Sequence, residues 1–263
     1  MTNPFPDLEP SEATYEGKTH PVFRGGRGPA VIVIHEIPGL HPGVVAFGRR
    51  LIAAGMTAYF PSLFGEPGRE VSAAYMLGEI SRACVSSEFA TWATRKTSPI
   101  VSWLRALARE AHAACGGPGV GAVGMCLTGG FALAMMVDDT LVAPVLSQPS
   151  MPFPISASRR RDVGVSDDDL AKIRARCAAG TPVMGLRFTG DRAVPGERFA
   201  RLREELGDRF IAIEIDSSAG NPYGIPADAH SVLTHHLVDQ PGHPTRVALE
   251  RVIAFFRDRL AVA

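Results

Sequence analysis

The chain has 263 residues, 46% of them hydrophobic and 21% charged, the composition of an ordinary globular protein, which excludes general disorder. Lysine plus arginine and aspartate plus glutamate each total 27, so the formal charge is zero and no basic surplus points to nucleic acid or an anionic membrane as partner. A chain of this size buries about three quarters of the surface its unfolded form exposes and needs no disulfide or metal staple.

The opening ten residues are polar and proline-containing, with no basic segment followed by an apolar run, so they do not read as a signal peptide. No stretch approaches the roughly 18 consecutive apolar residues of a membrane span. The cysteines, Cys84, Cys115, Cys126 and Cys177, are dispersed and form no C-x-x-C pair, which points away from a disulfide framework or a zinc site and toward a reduced, cytoplasmic protein.

Residues 13–23 predict an antiparallel edge hairpin. Apolar, β-branched runs predict strands over 30–34, 56–60, 119–125, 142–146, 183–188 and 210–215. Most of them lack alternation, as strands covered on both faces do. Helices are predicted between them. One covers 44–54 and stops at Gly55; another covers 99–115 and stops at Gly116 and Gly117. The segment 61–100 ahead of it reads as lid-like. Residues 127–137 are small and apolar and predict a helix lying on the sheet. Residues 151–165 look irregular, and their run Arg159, Arg160, Arg161 reads as solvated surface. Ser166 is the expected N-cap of a helix with the acidic first turn Asp167, Asp168, Asp169. A charged helix is expected over 195–206. The last starts at Pro244 and carries Leu249, Val252, Ile253, Phe256 and Leu260 at helical spacing. Alternation of strand and helix predicts an α/β fold, a three-layer sandwich with a mainly parallel sheet, as one domain over residues 1–263.

The most informative string is Gly124-Met125-Cys126-Leu127-Thr128-Gly129-Gly130, where an apolar strand runs into a cysteine and then a helix. This is the layout of a nucleophile elbow. A sharp turn strains the backbone at the nucleophile and brings neighbouring backbones close, so small residues are needed around it. The turn would lift the sulfur to the carboxyl edge of the sheet, at the positive end of the following helix, which favours thiolate. The plainer alternative is a buried structural cysteine. Thr128 departs from the strict pattern, which has glycine there.

A nucleophilic thiol needs a base, and the base an orienting group. Asp191 follows the strand 183–188 in a Gly190-Asp191 turn. His230 follows the strand 210–215 after a Gly/Pro-rich loop. The order Cys126, Asp191, His230 is that of the α/β-hydrolase arrangement. Asp191 alone is equally explained by turn chemistry, and His235 and His236 compete with His230. The oxyanion donors are expected to be the N–H groups of Leu127, the residue after the nucleophile, and Ile37, in the loop after the first core strand; Pro38 has no N–H. Glu36 ends an apolar strand close to the thiol, so its pKa is expected to be raised and the carboxyl able to hold a proton; an ordinary salt bridge is the alternative.

With these residues in place, the chain resembles the dienelactone hydrolase family of the α/β-hydrolase superfamily. The likeness is carried by Val33-Ile34-His35-Glu36-Ile37-Pro38-Gly39, Gly124 to Gly130, Gly190-Asp191 with Val194-Pro195, and Ala229-His230-Ser231. The resemblance implies a Cys126–His230–Asp191 triad that acts through an acyl-enzyme on a lactone or carboxylic ester. It implies no metal or organic cofactor, and gating of the resting thiol by Glu36. The family's substrate-carboxylate arginine, four residues after the histidine, is Thr234 here, which leaves a neutral ester or lactone as open as an enol-lactone; Arg82 is a candidate for a substitute cation. The partner expected is a small molecule, not nucleic acid or a membrane, with monomer and homo-oligomer equally open. The rival reading is a non-catalytic hydrolase-fold protein that uses Cys126 for ligand binding or redox sensing.

Overall fold

The computed structural model describes residues 3–85 and 98–262, with the side chains of 80–85 left aside. Of the segment 61–100, expected to be lid-like, residues 73–85 form a helix whose backbone includes Arg82 and Cys84, and residues 86–97 lie outside the described residues. One eight-stranded sheet runs through the molecule in the order β1-β2-β4-β3-β5-β6-β7-β8. Its strands are β1 (Glu9–Tyr15), β2 (Lys18–Gly26), β3 (Ala30–Ile34), β4 (Thr57–Pro61), β5 (Val120–Met125), β6 (Leu141–Ser147), β7 (Val183–Phe188) and β8 (Phe210–Ile215). β1 and β2 form the antiparallel edge hairpin, β2 pairs antiparallel with β4, and all remaining pairs are parallel.

The helices are α1 (Pro42–Ala53), α2 (Ala73–Val85), α3 (Pro99–Cys115), α4 (Phe131–Met135), α5 (Ala157–Arg161), α6 (Asp167–Ala178), α7 (Gly196–Leu206) and α8 (Pro244–Arg259). They divide between the two faces of the sheet, which gives the three layers. Val44, Phe47 and Leu51 of α1 pack with Leu249, Val252 and Phe256 of α8 against Val31, Val33 and Val123. α3, α4, α6 and α7 cover the other face through Leu104, Phe131, Ile173 and Phe199 against Ile32, Ile34 and Ala122. Neighbouring strand residues thus point into opposite cores, which is why these strands read as continuous apolar runs. Among the described residues, no helix is long and apolar enough to cross a membrane.

Ser166 caps α6 as expected, accepting from the Asp169 N–H. The arginine run is more than solvated surface. It forms α5, and Arg160 and Arg161 pair with Glu197 and Glu204 of α7. The single helix expected over 127–137 is instead a 3-10 turn at Cys126–Thr128 followed by the five-residue α4. The Cys126 carbonyl explains this: it accepts from Gly129 N–H and Ser150 N–H, both at 3.0 Å, and has no capacity left for an α-helical bond.

Parallel strands in register bring their carboxyl ends to one edge. Ile34 lies beside Gly124, Met125 beside Ser147, and Phe188 beside Ile215. The loops that follow β3, β5, β6, β7 and β8 therefore meet there, where ligands of parallel α/β sheets bind.

Candidate active site

Cys126 stands at the end of β5 with φ +54°, a left-handed conformation that costs a non-glycine residue of order 1–3 kcal/mol. Its neighbours are small where crowding demands it. A Cβ on Gly124 would lie 2.2 Å from the Thr128 carbonyl oxygen, and one on Gly129 would lie 2.5 Å from the Pro149 Cα. Gly130 meets no such constraint: its nearest neighbour would be 3.9 Å away. The crowding expected at position 128 is absent because the Thr128 side chain is part of the turn. Its hydroxyl accepts from the Met125 N–H at 3.1 Å, and its proton points among the carbonyls of Met125, His35 and Ile34 at 3.0–3.2 Å. Threonine thus bolts the elbow to the end of β3. Thr128→Val strands the buried Met125 N–H and is expected to destabilise the protein by about 1–3 kcal/mol, read as a lower urea midpoint with an unchanged slope.

Asp191 and His230 meet at this edge. Asp191 Oδ2 lies 2.6 Å from His230 Nδ1, and its Oδ1 accepts from the Ala193 N–H at 2.9 Å. Asp191 is buried and His230 is 24% exposed at its side chain. Burial pulls the His230 pKa down, but the hydrogen bond to Asp191 and the neighbouring Asp191 and Cys126 groups outweigh it, leaving it well above the usual 6.5. The imidazole is thus tied to Asp191 and opens into the same cavity as Cys126.

His235 is exposed, and His236 serves the backbone: its Nδ1 accepts from the N–H groups of His230 and Ser231 at 3.3 and 3.2 Å. Neither competes with His230. The loop that carries Asp191 is held from below by Arg187 of β7. Its guanidinium donates to the carbonyls of Thr189 and Val194, both at 2.9 Å, and to Glu214 at 2.6 Å.

Cys126, Asp191 and His230 open into one cavity of about 740 Å³, together with Ile37, Leu127 and Glu36. Among the described residues, the N–H groups of Ile37 and Leu127 donate to no turn, loop or cap bond. Met76 and Phe153, both partly exposed, form apolar wall toward the mouth.

Glu36 departs from expectation twice. Burial raises its pKa, but hydrogen bonds from His41, Thr234 and Ser231 more than offset that and hold it below the usual carboxylate value. The expectation of a raised pKa reckoned with burial and not with these donors. Nor is the thiol among its hydrogen-bond partners: Oε1 takes His41 at 3.3 Å and the Thr234 hydroxyl, and Oε2 takes Ser231 at 2.7 Å and Gln148 at 3.1 Å. Glu36 and Cys126 nevertheless line the same cavity. The hydroxyl beside the sulfur is that of Ser150, 3.6 Å from Sγ on the loop after β6.

Ser150 and Gln148 were not legible as site residues. Nor was Arg198 of α7, which is 1% exposed and donates to the carbonyls of Pro149 and Pro152 at 2.5 Å, fixing the loop that bears Ser150. Burial without a carboxylate partner draws its pKa down to about 10.

The model of the dienelactone hydrolase family matches residues 15–260. Among solved structures, the chain is similar to a dienelactone hydrolase from Anabaena variabilis (13% identity, TM-score 0.61, 97% of this chain and 99% of that one). It is similar also to the dienelactone hydrolase-like promiscuous phosphotriesterase P91 from metagenomic libraries (17%, 0.61, 96% and 98%). A cold-adapted esterase from an Arctic intertidal metagenomic library is a third (12%, 0.56, 96% and 93%). No curated protein matches the chain. With the family match spanning nearly its whole length and the fold shared, the chain belongs to the dienelactone hydrolase family and is a hydrolase acting on ester bonds.

Proposed function

We propose that the protein is a cysteine-dependent hydrolase that opens a lactone or cleaves a carboxylic ester through Cys126, His230 and Asp191. One observation carries the reading: His230 is bonded to Asp191 at 2.6 Å through Nδ1 and opens into the same cavity as the thiol at the strained elbow. That is the nucleophile, base and orienter relation needed for covalent acyl transfer.

In this reading, Cys126 Sγ attacks the ester carbonyl with its proton held on His230. The oxygen that gains the electron pair is met by the N–H groups of Ile37 and Leu127. Collapse breaks the acyl carbon–oxygen bond, and His230 gives its proton to the departing oxygen. Water, deprotonated by His230, then attacks the thioester, and the acid leaves as Cys126 is released. All charge and proton movement is handled by named groups of one domain, with no cofactor.

A neutral ester or lactone fits the cavity, and so does an anionic one, since Arg192 also lines it. The Thr234 hydroxyl is tied to the protein's own Glu36, and Met76 and Phe153 supply apolar wall. The structural relatives described as dienelactone hydrolase and esterase support the same bond class. The dispersed cysteines support a cytoplasmic setting.

Incubation with p-nitrophenyl esters followed by mass spectrometry tests the reading. An acyl adduct is expected on Cys126 and absent from Cys126→Ala. Sulfenic or mixed-disulfide products alone, with no acylation, would refute it in favour of a thiol sensor.

A further inference from the structure

We propose that Glu36 is a positioning residue, a buried carboxylate that holds three loops of the site in register around Cys126. The proposal rests on the hydrolytic reading for its kinetic consequence, but not for its geometry.

Glu36 is 3% exposed, yet no arginine or lysine pairs with it among the described residues. Three neutral donors and the His41 ring, 3.3 Å away, take the place of such a cation. An ionised carboxylate only accepts, and offers about four lone-pair sites. His41, Thr234, Ser231 and Gln148 fill them.

The origin of these donors matters more than their number. His41 is in Glu36's own loop, the one that also carries Ile37. It caps α1 by accepting from the Gly43 N–H at Nδ1, so it is Nε2–H that faces the carboxylate. Gln148 begins the loop after β6, two residues before Ser150. Ser231 and Thr234 lie in the segment that follows His230. The Gln148 carboxamide strengthens the link, because its Oε1 accepts from the Val232 N–H at 3.3 Å while its Nε2 donates to Glu36. One carboxylate therefore joins the loop of the oxyanion donor, the loop of the hydroxyl beside the sulfur and the loop of the base. It acts on the reacting atoms through these loops, since none of its hydrogen bonds reaches Cys126.

Glu36→Gln keeps the shape but presents donors where the hub needs acceptors, so two of the four partners lose their bond. The protein should stay folded by circular dichroism. On a p-nitrophenyl ester, kcat should fall about 10- to 100-fold with KM within about threefold, the size of effect a displacement on the order of 1 Å produces. Ser231→Ala should lower kcat by less. The double variant should be no slower than Glu36→Gln alone, because both remove the same support. The His230 imidazole, followed by NMR, should titrate closer to 6.5 in Glu36→Gln than in the wild type. A purely structural role would lower the melting temperature and leave kcat and this titration unmoved. Unchanged kcat in Glu36→Gln, or fully multiplicative losses in the double variant, would overturn the proposal. If Glu36→Gln does not fold, Ser231→Ala and Thr234→Val keep the carboxylate and decide it by the same two readouts. A wild type that turns over no ester would refute the hydrolytic reading, and the NMR titration would still decide the role of Glu36.

Discussion

Cys126→Ala is expected to lower kcat/KM by about 10⁴-fold or more on every ester the wild type hydrolyses, a loss of about 5.5 kcal/mol of transition-state stabilisation. The fold should survive. Alanine meets the same left-handed backbone cost as cysteine at φ +54°, and the sulfur faces a cavity rather than packed hydrocarbon. What disappears is the nucleophile and one of the two groups that raise the His230 pKa. The imidazole should therefore titrate at lower pH in the variant than in the wild type. The sign for stability follows. A histidine whose folded pKa lies above its unfolded value of about 6.5 contributes stability that is fully present below pH 6.5 and is lost as pH rises through the folded value. Cys126→Ala should shrink that contribution, so the two proteins should differ more in melting temperature at pH 6 than at strongly alkaline pH. Retention of the wild-type rate would place the nucleophile elsewhere.

Much of the layered fold could be read from local signals. Strands buried on both faces announce themselves as apolar runs, and residues 183–188 and 210–215 coincide with β7 and β8. Proline at the helix start placed α3 and α8 at Pro99 and Pro244, and a serine cap placed α6. The elbow was legible for a related reason: glycine at 124 and 129 answers a steric demand made by residues within five positions of it or by the next loop. The part Thr128 plays was not legible, because its hydroxyl bonds lead to His35 and Ile34, more than ninety residues earlier.

The supporting residues were hidden for the same reason on a larger scale. Gln148 lies 112 positions from Glu36, Ser231 195 and Thr234 198. No periodicity or motif marks a side chain whose partner is that distant. The reversal of the expected Glu36 pKa follows directly: a strand-end position reveals burial, whereas the donors that counter it arrive from other loops. Arg187 and Arg198 are of the same kind. Each stands among apolar neighbours as if misplaced, and each proves to donate to the carbonyls of a site loop rather than only to a carboxylate.

Asp191→Asn is the second large effect, with kcat/KM expected to fall about 10⁴-fold, the size of loss that follows when the base is left in the wrong tautomer. The geometry says why an isosteric change is so damaging. Oδ1 accepts from the Ala193 N–H and Oδ2 faces His230 Nδ1, so an asparagine must choose between them. If its oxygen stays on Ala193, the amide NH₂ points at Nδ1, which must then accept, and the ring proton moves to the side facing the thiol. That tautomer cannot take the proton of Cys126. If the amide turns over, its NH₂ meets the Ala193 N–H, donor against donor. The loop itself should not move, because the Arg187 guanidinium still holds the Thr189 and Val194 carbonyls. The melting temperature should therefore change far less than the rate. Removing the carboxylate also removes the largest of the influences that raise the His230 pKa, so the imidazole should titrate below its wild-type midpoint and less of it should be protonated at pH 7. The rate of the variant across pH, read beside the NMR titration of His230, separates these effects. A loss of less than tenfold with an unmoved titration would show that Asp191 does not orient the base.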